Sequence, residues 1–383
     1  MYLTKDEEKI LSGEYGEVLQ KAMEIIVKVG ELLGASRLID ITHAHASGVS
    51  YGTIGEPGLQ WLKSLASSGL KARVYATVNP IGFDPFTKVP RPDPEFFMKQ
   101  LEIMKAFEAM GFDVTLTCTP YYLRRPKPME RLAWGESNAV AYANSVLGAF
   151  TNREGGPVTV AAALTGKIYE AGLQLLENRK PTLEILLPRL EDYSEYAAAG
   201  YRLGEIIGTQ IPYVKFAKPP EEWKVKALLA ASAASGGVAL AVLDGITPKG
   251  TYVIDDKLER VELEPKDLEE LFGDVEEADL IYHGCPHSSP TELKLLNSLL
   301  SGKVKKEFWV SVAPKIYEEN KDVIRELEMK GVRVLRGTCP VVAQLKEFKK
   351  IATTSAKAYF YLRKKGFDVV LFKLKEVSRV ASG

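Results

Sequence analysis

The stretch from Leu38 to Ser47 reads LIDITHAHAS, and it has a counterpart, LIYHGCPHSS, from Leu280 to Ser289. Aligned without a gap, the two stretches set His43 opposite Cys285. Each stretch opens with a short apolar run, which predicts a strand, and continues into small and polar residues, which predict a loop. We therefore interpret the chain as containing two copies of one structural unit.

The likeness between the two copies resumes further along the chain. VNP at 78–80 corresponds to VAP at 312–314, and TCTP at 117–120 corresponds to TCP at 338–340. In both copies, short β-branched runs alternate with longer stretches of helical periodicity, and the runs predict strands at 73–78, 113–117 and 308–312. Such alternation is typical of α/β units with parallel sheets. Each copy is predicted to form a strand, a loop, a helix, a strand, a helix and a final strand.

The duplication divides the chain into three predicted domains. We expect a first α/β lobe at 1–155, a middle domain rich in alanine and glycine at 156–273, and a second α/β lobe at 274–383. The TKDE sequence at 4–7 is a capping box, which predicts an amphipathic helix running to about Leu33. The apolar stretch 227–243 is interrupted by SGG, so it predicts a buried helix followed by a buried strand rather than a membrane span.

Composition excludes several classes of protein. The 383 residues carry 50 Lys and Arg against 50 Asp and Glu, whereas binding to nucleic acid or to a membrane surface requires clustered positive charge. Three cysteines are too few for a disulfide framework and suit a reducing compartment. We expect a cytoplasmic protein with no nucleic-acid or membrane partner.

The three cysteines share one local context. Cys118, Cys285 and Cys339 each follow a predicted strand and precede a proline. Because ligand sites of open α/β sheets lie at the carboxyl ends of strands, the three thiols can converge. With His283 or His287 they would form a zinc site. With an iron–sulfur cluster they would leave one iron open as a Lewis acid, which is the chemistry of a hydro-lyase. Three buried, structurally inert cysteines are the remaining interpretation.

Polar residues near these turns suggest a site for an anion. All four histidines fall in the two matching stretches, and imidazole suits proton transfer and hydrogen bonding to a carboxylate. The ASGVSYG run at 46–52 suits the presentation of backbone N–H groups to an anion. Arg153 is interpreted either as a clamp for a carboxylate or phosphate or as a solvated loop arginine. Lys357, at the start of a predicted helix, is a candidate phosphate contact or a surface lysine.

Several motifs together resemble the aconitase X family. They are LTKDE at 3–7, HAHASGV at 43–49, TCTP at 117–120, ESNA at 136–139, GCPH at 284–287 and TCP at 338–340. The resemblance extends over essentially the whole chain. It implies an aconitase-like α/β fold, in which parallel-sheet lobes with an internal duplication accompany a middle domain. The length resembles that of the archaeal large subunits, which form a heterodimer with a separate small subunit.

The resemblance also implies an activity and a cofactor. The archaeal members are hydro-lyases of isoprenoid biosynthesis, which dehydrate (R)-mevalonate 5-phosphate to trans-anhydromevalonate 5-phosphate, a step of the modified mevalonate pathway. The bacterial members dehydrate cis-3-hydroxy-L-proline, which is the alternative substrate. The implied cofactor is a 4Fe–4S cluster with one open iron, or 3Fe–4S after loss of that iron, bound by Cys118, Cys285 and Cys339. An alternative of another class is a zinc-stabilised structural or interaction subunit without catalysis.

The resemblance places substrate contacts on a defined set of residues. These are Gly48, Val49, Ser50, Asn79, Pro80, Glu136, Asn138 and Lys357. His45 or His287 is expected to protonate or orient the departing hydroxyl group. No general base is identified in this chain, and by analogy with aconitases it is a serine of the small subunit. In that case this chain alone should bind the cluster yet be inactive.

Overall fold

The computed structural model describes residues 1–254 and 257–382. In these ranges the α-helices are α1 (Lys5–Leu11), α2 (Glu17–Leu32), α3 (Tyr51–Ser67), α4 (Pro94–Ala109), α5 (Ser137–Ser145), α6 (Gly156–Thr165), α7 (Tyr193–Ile207), α8 (Glu222–Ser235), α9 (Pro265–Glu269), α10 (Pro290–Leu299), α11 (Pro314–Glu319), α12 (Lys321–Met329), α13 (Ala356–Lys364) and α14 (Val377–Ser382). The strands are β1 (Leu38–Asp40), β2 (His43–Ala46), β3 (Tyr75–Val78), β4 (Leu132–Trp134), β5 (Lys167–Tyr169), β6 (Leu183–Leu187), β7 (Pro212–Phe216), β8 (Val242–Leu243), β9 (Glu259–Glu262), β10 (Leu280–His283), β11 (Glu307–Val312), β12 (Arg333–Arg336), β13 (Lys350–Thr353) and β14 (Asp368–Leu371).

The predicted duplication of parallel-sheet lobes is confirmed. The sheet of the C-terminal lobe has the strand order β12-β11-β10-β13-β14, and all its neighbouring strands are parallel. The sheet of the N-terminal lobe has the order β3-β2-β4, again parallel. The order β3-β2-β4 therefore repeats the order β11-β10-β13. In both lobes a helix leads from the central strand to its first neighbour, as parallel connections require.

The gapless alignment of the two copies is wrong in its register. LID at 38–40 is the separate strand β1, which pairs antiparallel with β5. The central strand of the first lobe is β2, which ends at Ala46, and its counterpart β10 ends at His283. Counted from these strand ends, Cys285 corresponds to Gly48 and not to His43.

Two predicted elements of the N-terminal lobe also differ from the structure. The capping box is present, but α1 ends at Leu11, and a turn in which Gly13 and Gly16 have φ of +87° and +97° precedes α2. Glycine enters this region of φ easily, so the turn divides the predicted helix in two. The predicted strand at 113–117 is absent from the described structure, where only Asp113 bridges to β3 and Leu116 has φ of +46°.

The middle domain contains a four-stranded parallel sheet with the order β8-β7-β6-β9, packed with α7 and α8. The predicted change from buried helix to buried strand is confirmed by α8 and β8. Helices α7 and α8 approach closely at glycines, since a Cβ atom on Gly200 would lie 2.0 Å from the carbonyl oxygen of Leu228. No helix in the described ranges has both the length and the apolarity needed to cross a bilayer.

Two apolar cores organise the molecule. One core belongs to the N-terminal lobe, and it includes residues of α6, which packs against α2 and β2. The other core joins the middle domain to the C-terminal lobe and includes α5. The predicted domain boundaries at 155/156 and 273/274 remain predictions.

Candidate active site

The carboxyl ends of the two duplicated sheets face a shared cavity of about 290 Å³. The N-terminal lobe contributes the turns that follow β2, β3 and β4, and the C-terminal lobe contributes the turns that follow β10 and β12. This is the edge at which parallel sheets bind ligands, because turns from separate strands meet there. We call this space the central cavity.

All three cysteines line the central cavity and are free thiols. The backbone N–H group of His287 donates a hydrogen bond to Sγ of Cys118 over 3.2 Å, which links the two lobes. Burial and the charge of Glu136 raise the pKa of Cys118 to about 12, although Lys357 opposes this. Burial likewise raises the pKa of Cys285 and of Cys339. The thiols are therefore protonated unless a metal displaces their protons.

No three or more His, Cys, Asp or Glu side chains within 1–254 and 257–382 are grouped so that they could bind one metal ion. The cysteines line the central cavity from separate segments: Cys285 follows β10, Cys339 follows β12, and Cys118 follows the irregular segment 113–117. Each thiolate of an iron–sulfur cluster binds its own iron atom, so thiolates around a cluster are spread over several metal atoms.

The turn that carries Cys339 is fixed by the N-terminal lobe. The N–H group of Cys339 donates to the carbonyl oxygen of Ile81 over 2.8 Å, and the N–H group of Ile81 donates to Gly337 over 3.0 Å. Nearby, the fully buried Asp84 accepts hydrogen bonds from the backbone N–H and Nε of Arg336 over 2.8 and 3.1 Å. Residues of the segment that follows β3 thus form hydrogen bonds to the end of β12 and to the turn after it.

The turn that carries Cys285 rests on a buried ion pair. Lys226 on α8 donates from Nζ to the carbonyl oxygen of His287 over 2.9 Å and pairs with Glu292. Both side chains are inaccessible to solvent. Burial opposes ionisation of Glu292, but the charge of Lys226 and the contact with His283 together lower the pKa of Glu292 to about 2. The middle domain thereby supports the backbone of a cavity-lining turn.

A second ion pair lies in the central cavity itself. Lys357 Nζ pairs with Oε1 of Glu136, whose Oε2 accepts a hydrogen bond from Nδ2 of Asn79 over 2.7 Å. Burial opposes ionisation of Glu136, but the charge and hydrogen bond of Lys357, with the bond from Asn79, lower its pKa to about 2. Although burial alone would lower it, the pKa of Lys357 is raised by Glu136 and the nearby thiols. The pair is therefore fully charged at neutral pH.

A chain of hydrogen bonds links this ion pair to strand β2, and the donor of each bond can be assigned from the bond before it. Asn79 donates to Glu136, so its Oδ1 accepts from Nε2 of His45 over 2.8 Å. Nδ1 of His45 must then accept from the hydroxyl of Thr77 over 2.7 Å. Burial lowers the pKa of His45 to about 4, so this ring is neutral near pH 7. His45 orients Asn79 and, through it, the carboxylate of Glu136.

The structure brings most of the predicted site residues to the central cavity. Those that line it are Gly48, Val49, Ser50, Asn79, Pro80, Glu136, His287, Lys357 and the three cysteines. His45 and Asn138 lie behind the lining, where Nδ2 of Asn138 donates to the carbonyl oxygen of Cys118 over 2.8 Å. His43 and His45 belong to β2, in which all four residues are buried, and not to a loop as predicted.

Several residues of this region were not singled out in the sequence. Asp84 and Lys226 hold cavity-lining turns, while Ser137 and Tyr361 line the central cavity. For Lys226 a weak signal existed, since it immediately precedes the uncharged stretch 227–243. No such signal marked Asp84, whose partner Arg336 is distant in sequence.

Comparison with known proteins agrees with this architecture. Models of the aconitase X first, second and third domains match residues 1–177, 181–273 and 278–383. The chain belongs to the aconitase X family. The crystal structure of Thermococcus kodakaraensis aconitase X in its holo-form superposes with a TM-score of 0.93 at 40% identity, and all of both chains is covered. The aconitase-like fold is therefore confirmed.

The curated relatives of this aconitase X chain carry two names. It is 40% identical to the phosphomevalonate dehydratase large subunit of Thermococcus kodakarensis and 41% identical to that of Aeropyrum pernix, in each case over 100% of both chains. It is 33% identical to cis-3-hydroxy-L-proline dehydratase of Hypocrea jecorina, over 94% of this chain and 65% of that protein.

Proposed function

We propose that the chain is the large subunit of a hydro-lyase that converts (R)-mevalonate 5-phosphate to trans-anhydromevalonate 5-phosphate in the modified mevalonate pathway of isoprenoid biosynthesis. The observation that carries this proposal is the 40–41% identity, over entire lengths, to relatives named phosphomevalonate dehydratase large subunit. Their name also supports a separate small subunit as partner. Free cysteines, with no disulfide in the described chain, support a cytoplasmic location.

The donor set of the central cavity fits the proposed cofactor. Three free thiols meet at a cavity of about 290 Å³, and one of them already accepts a backbone N–H hydrogen bond, as cluster-bound sulfur commonly does. We propose that Cys118, Cys285 and Cys339 bind a 4Fe–4S cluster, which becomes 3Fe–4S if the labile iron is lost during isolation. When bound, the cluster supplies an open iron that acts as a Lewis acid toward a substrate hydroxyl and carboxylate.

The surrounding residues supply binding and orientation of the substrate. The backbone of Gly48 to Ser50 offers N–H groups, and Gly48 has φ of +67°, which helps successive N–H groups to converge on an anion. Lys357 and Asn79 hold Glu136 ionised in one position. A fixed carboxylate and ammonium beside the thiols can orient the hydroxyl and carboxylate of the substrate without further rearrangement.

The two histidines take different proposed roles. Nε2 of His287 lies 3.0 Å from the carbonyl oxygen of Thr338, so Nε2 carries the proton and Nδ1 is an acceptor. That Nδ1 is buried without a hydrogen-bond partner in the described chain, which supports a role in orienting the departing hydroxyl. His45 contacts Asn79 rather than the cavity and is proposed as a positioning residue.

Cis-3-hydroxy-L-proline is the alternative substrate, supported by more distant relatives of which the chain spans 65% or less. Assays of both substrates, with the chain and its small subunit, separate the two possibilities. Turnover of the hydroxyproline alone would contradict the first proposal.

The first test measures iron and acid-labile sulfide, with an EPR spectrum, on anaerobically purified protein. We expect iron and sulfide in the proportion of a cubane cluster in the wild type and their loss in Cys118→Ala. Ser288→Ala is the matched control, because it changes a buried side chain of the Cys285 turn that has no hydrogen-bond partner in the described residues. Zinc without sulfide in the wild type would contradict the cluster and favour the zinc-stabilised, non-catalytic subunit.

A further inference from the structure

Two basic side chains of the described chain line the central cavity, and their surroundings differ. Lys357 is buried beside the thiols and paired with Glu136. Arg153 is exposed, and its guanidinium makes no hydrogen bond or ion pair with any other residue that the structure describes. It also lines an adjoining open cleft of about 490 Å³, so it stands where the cavity meets solvent.

The carboxylates near Arg153 form hydrogen bonds or ion pairs with other residues. Its neighbour Glu154 is 5% exposed, and Oε2 of that residue accepts a hydrogen bond from the hydroxyl of Tyr169. Burial also raises the pKa of Glu154. Glu136 is committed to Lys357 and Asn79. Among the described residues, the positive charge of Arg153 is therefore left without an acidic partner, at the edge of a site that we propose for a substrate with two anionic groups.

The backbone of Arg153 is fixed although its side chain is not. Arg153 forms a parallel bridge with Trp134, and the N–H group of Glu154 donates to the carbonyl oxygen of Trp134 over 3.0 Å. Trp134 ends β4 and directly precedes Gly135 and Glu136, which line the cavity. The backbone of Arg153 is thus held in place, and binding of a ligand would order only the arginine side chain.

We propose that Arg153 binds the phosphate group of the substrate and so selects a phosphorylated hydroxy acid. This inference rests on the proposed function. The carboxylate and the phosphate stand at opposite ends of mevalonate 5-phosphate, and the two cations stand at different depths of the central cavity. Lys357 faces the thiols, where the reacting hydroxy acid would lie, and Arg153 faces the opening. A guanidinium fork matches phosphate oxygens in a bidentate arrangement, and exposed phosphate can remain partly hydrated there.

The test uses the cluster-loaded chain with its small subunit. For Arg153→Met we expect the KM for mevalonate 5-phosphate to rise about ten- to a hundredfold, with kcat within about threefold, because a contact made equally in ground and transition states changes KM alone. Arg153→Lys should recover part of the loss, since it restores charge but not the fork. Arg325→Met is the matched control on α12, where the arginine is 70% exposed and lines no part of the cavity. An unchanged KM in Arg153→Met, or a fall in kcat alone, would overturn the inference.

Inhibition identifies which end of the substrate Arg153 binds. Inorganic phosphate should inhibit the wild type competitively and Arg153→Met more weakly, whereas mevalonate without phosphate should inhibit both equally. An equal weakening for mevalonate would assign Arg153 to the carboxylate and overturn the inference.

Failure of the proposed function would be visible separately, as a wild type that does not dehydrate mevalonate 5-phosphate. Calorimetric titration with inorganic phosphate still tests Arg153 in that case. Weaker phosphate binding by Arg153→Met supports the inference, and equal binding or no binding overturns it.

Discussion

Glu292 and Lys226 form an ion pair in which both side chains are inaccessible to solvent. Few other groups of the described chain contact the two charges. Oε2 of Glu292 accepts from Lys226 and from the backbone and hydroxyl of Ser289, while Oε1 lies 3.5 Å from Nε2 of His283. Removal of one partner from a buried pair leaves the other charge uncompensated, which costs about 3–5 kcal/mol of unfolding free energy. Because Lys226 also donates to the carbonyl oxygen of His287, loss of the pair should destabilise the turn that carries Cys285.

This pair makes the stability of the cluster-free chain depend on acid pH. The pKa of Glu292 falls from 4.5 to about 2 on folding, so its contribution is fully present above pH 4.5 and is lost as the pH drops toward 2. Urea unfolding at several pH values should show this loss in the wild type and a smaller loss in the double variant Lys226→Met, Glu292→Gln. Glu17→Gln, which breaks an exposed pair with Lys21, serves as the control with wild-type behaviour. An identical pH dependence in the double variant would contradict the assignment.

At the scale of elements, the segment from Ile81 to Asp93 joins the N-terminal lobe to the turn of Cys339. Two aspartates of this segment reach the C-terminal lobe, and they differ in burial. Asp84 is inaccessible and binds Arg336, whereas Asp93 is exposed and binds Gln344 and Lys346. Because solvent screens an exposed pair, only the buried one should fix the turn.

We expect Asp84→Ala to lower the unfolding free energy by about 3 kcal/mol, since Arg336 loses its buried partner. Asp93→Ala, the matched control in the same segment, should cost less than about 1 kcal/mol. In the cluster-free chain, iodoacetamide should also modify Cys339 faster in Asp84→Ala than in the wild type, as peptide mass spectrometry can measure. Equal rates of modification would show that Asp84 does not fix the cysteine turn.

Local signals in the sequence predicted many elements and part of the site. The strand–Cys–Pro context placed Cys285 and Cys339 correctly because parallel strands bring their carboxyl ends together whatever their separation in sequence. Cys118 lines the same cavity although no strand precedes it in the described structure. The run at 113–117 has the composition of a strand, but a single bridge from Asp113 replaces the ladder. The histidine register failed because LID at 38–40 belongs to an additional antiparallel strand. Ion pairs such as Asp84 with Arg336 depend on tertiary packing, and no local pattern encodes them.

At the scale of the whole molecule, the central cavity lies where the two apolar cores meet. The N-terminal lobe has its own core, and the middle and C-terminal domains share the other. Each cysteine turn is held across a domain border: Cys118 by His287, Cys285 through Lys226 and Cys339 by Ile81. Such a site depends on the relative placement of all three domains.

The chain without its proposed small subunit should bind the proposed cluster but show no dehydration of mevalonate 5-phosphate. The physical reason is that this chain supplies all three proposed cluster cysteines, whereas the base is expected on the small subunit. Activity should appear on addition of the small subunit, in proportion to the complex formed, and a mixture of small subunit with Cys118→Ala should stay inactive. Full turnover by the large subunit alone would place the base in this chain.

The hydrogen bonds between Ile81 and the turn of Cys339 have a consequence for biosynthesis. A ribosome releases Ile81 and Cys118 long before it has made Cys339, so the nascent chain exposes one cysteine of the set while its partners do not yet exist. All three cysteines of the proposed cluster site are therefore present only after translation has passed residue 339. Insertion of the proposed cluster should follow synthesis of residue 339, and expression that outpaces iron supply should accumulate chains without it.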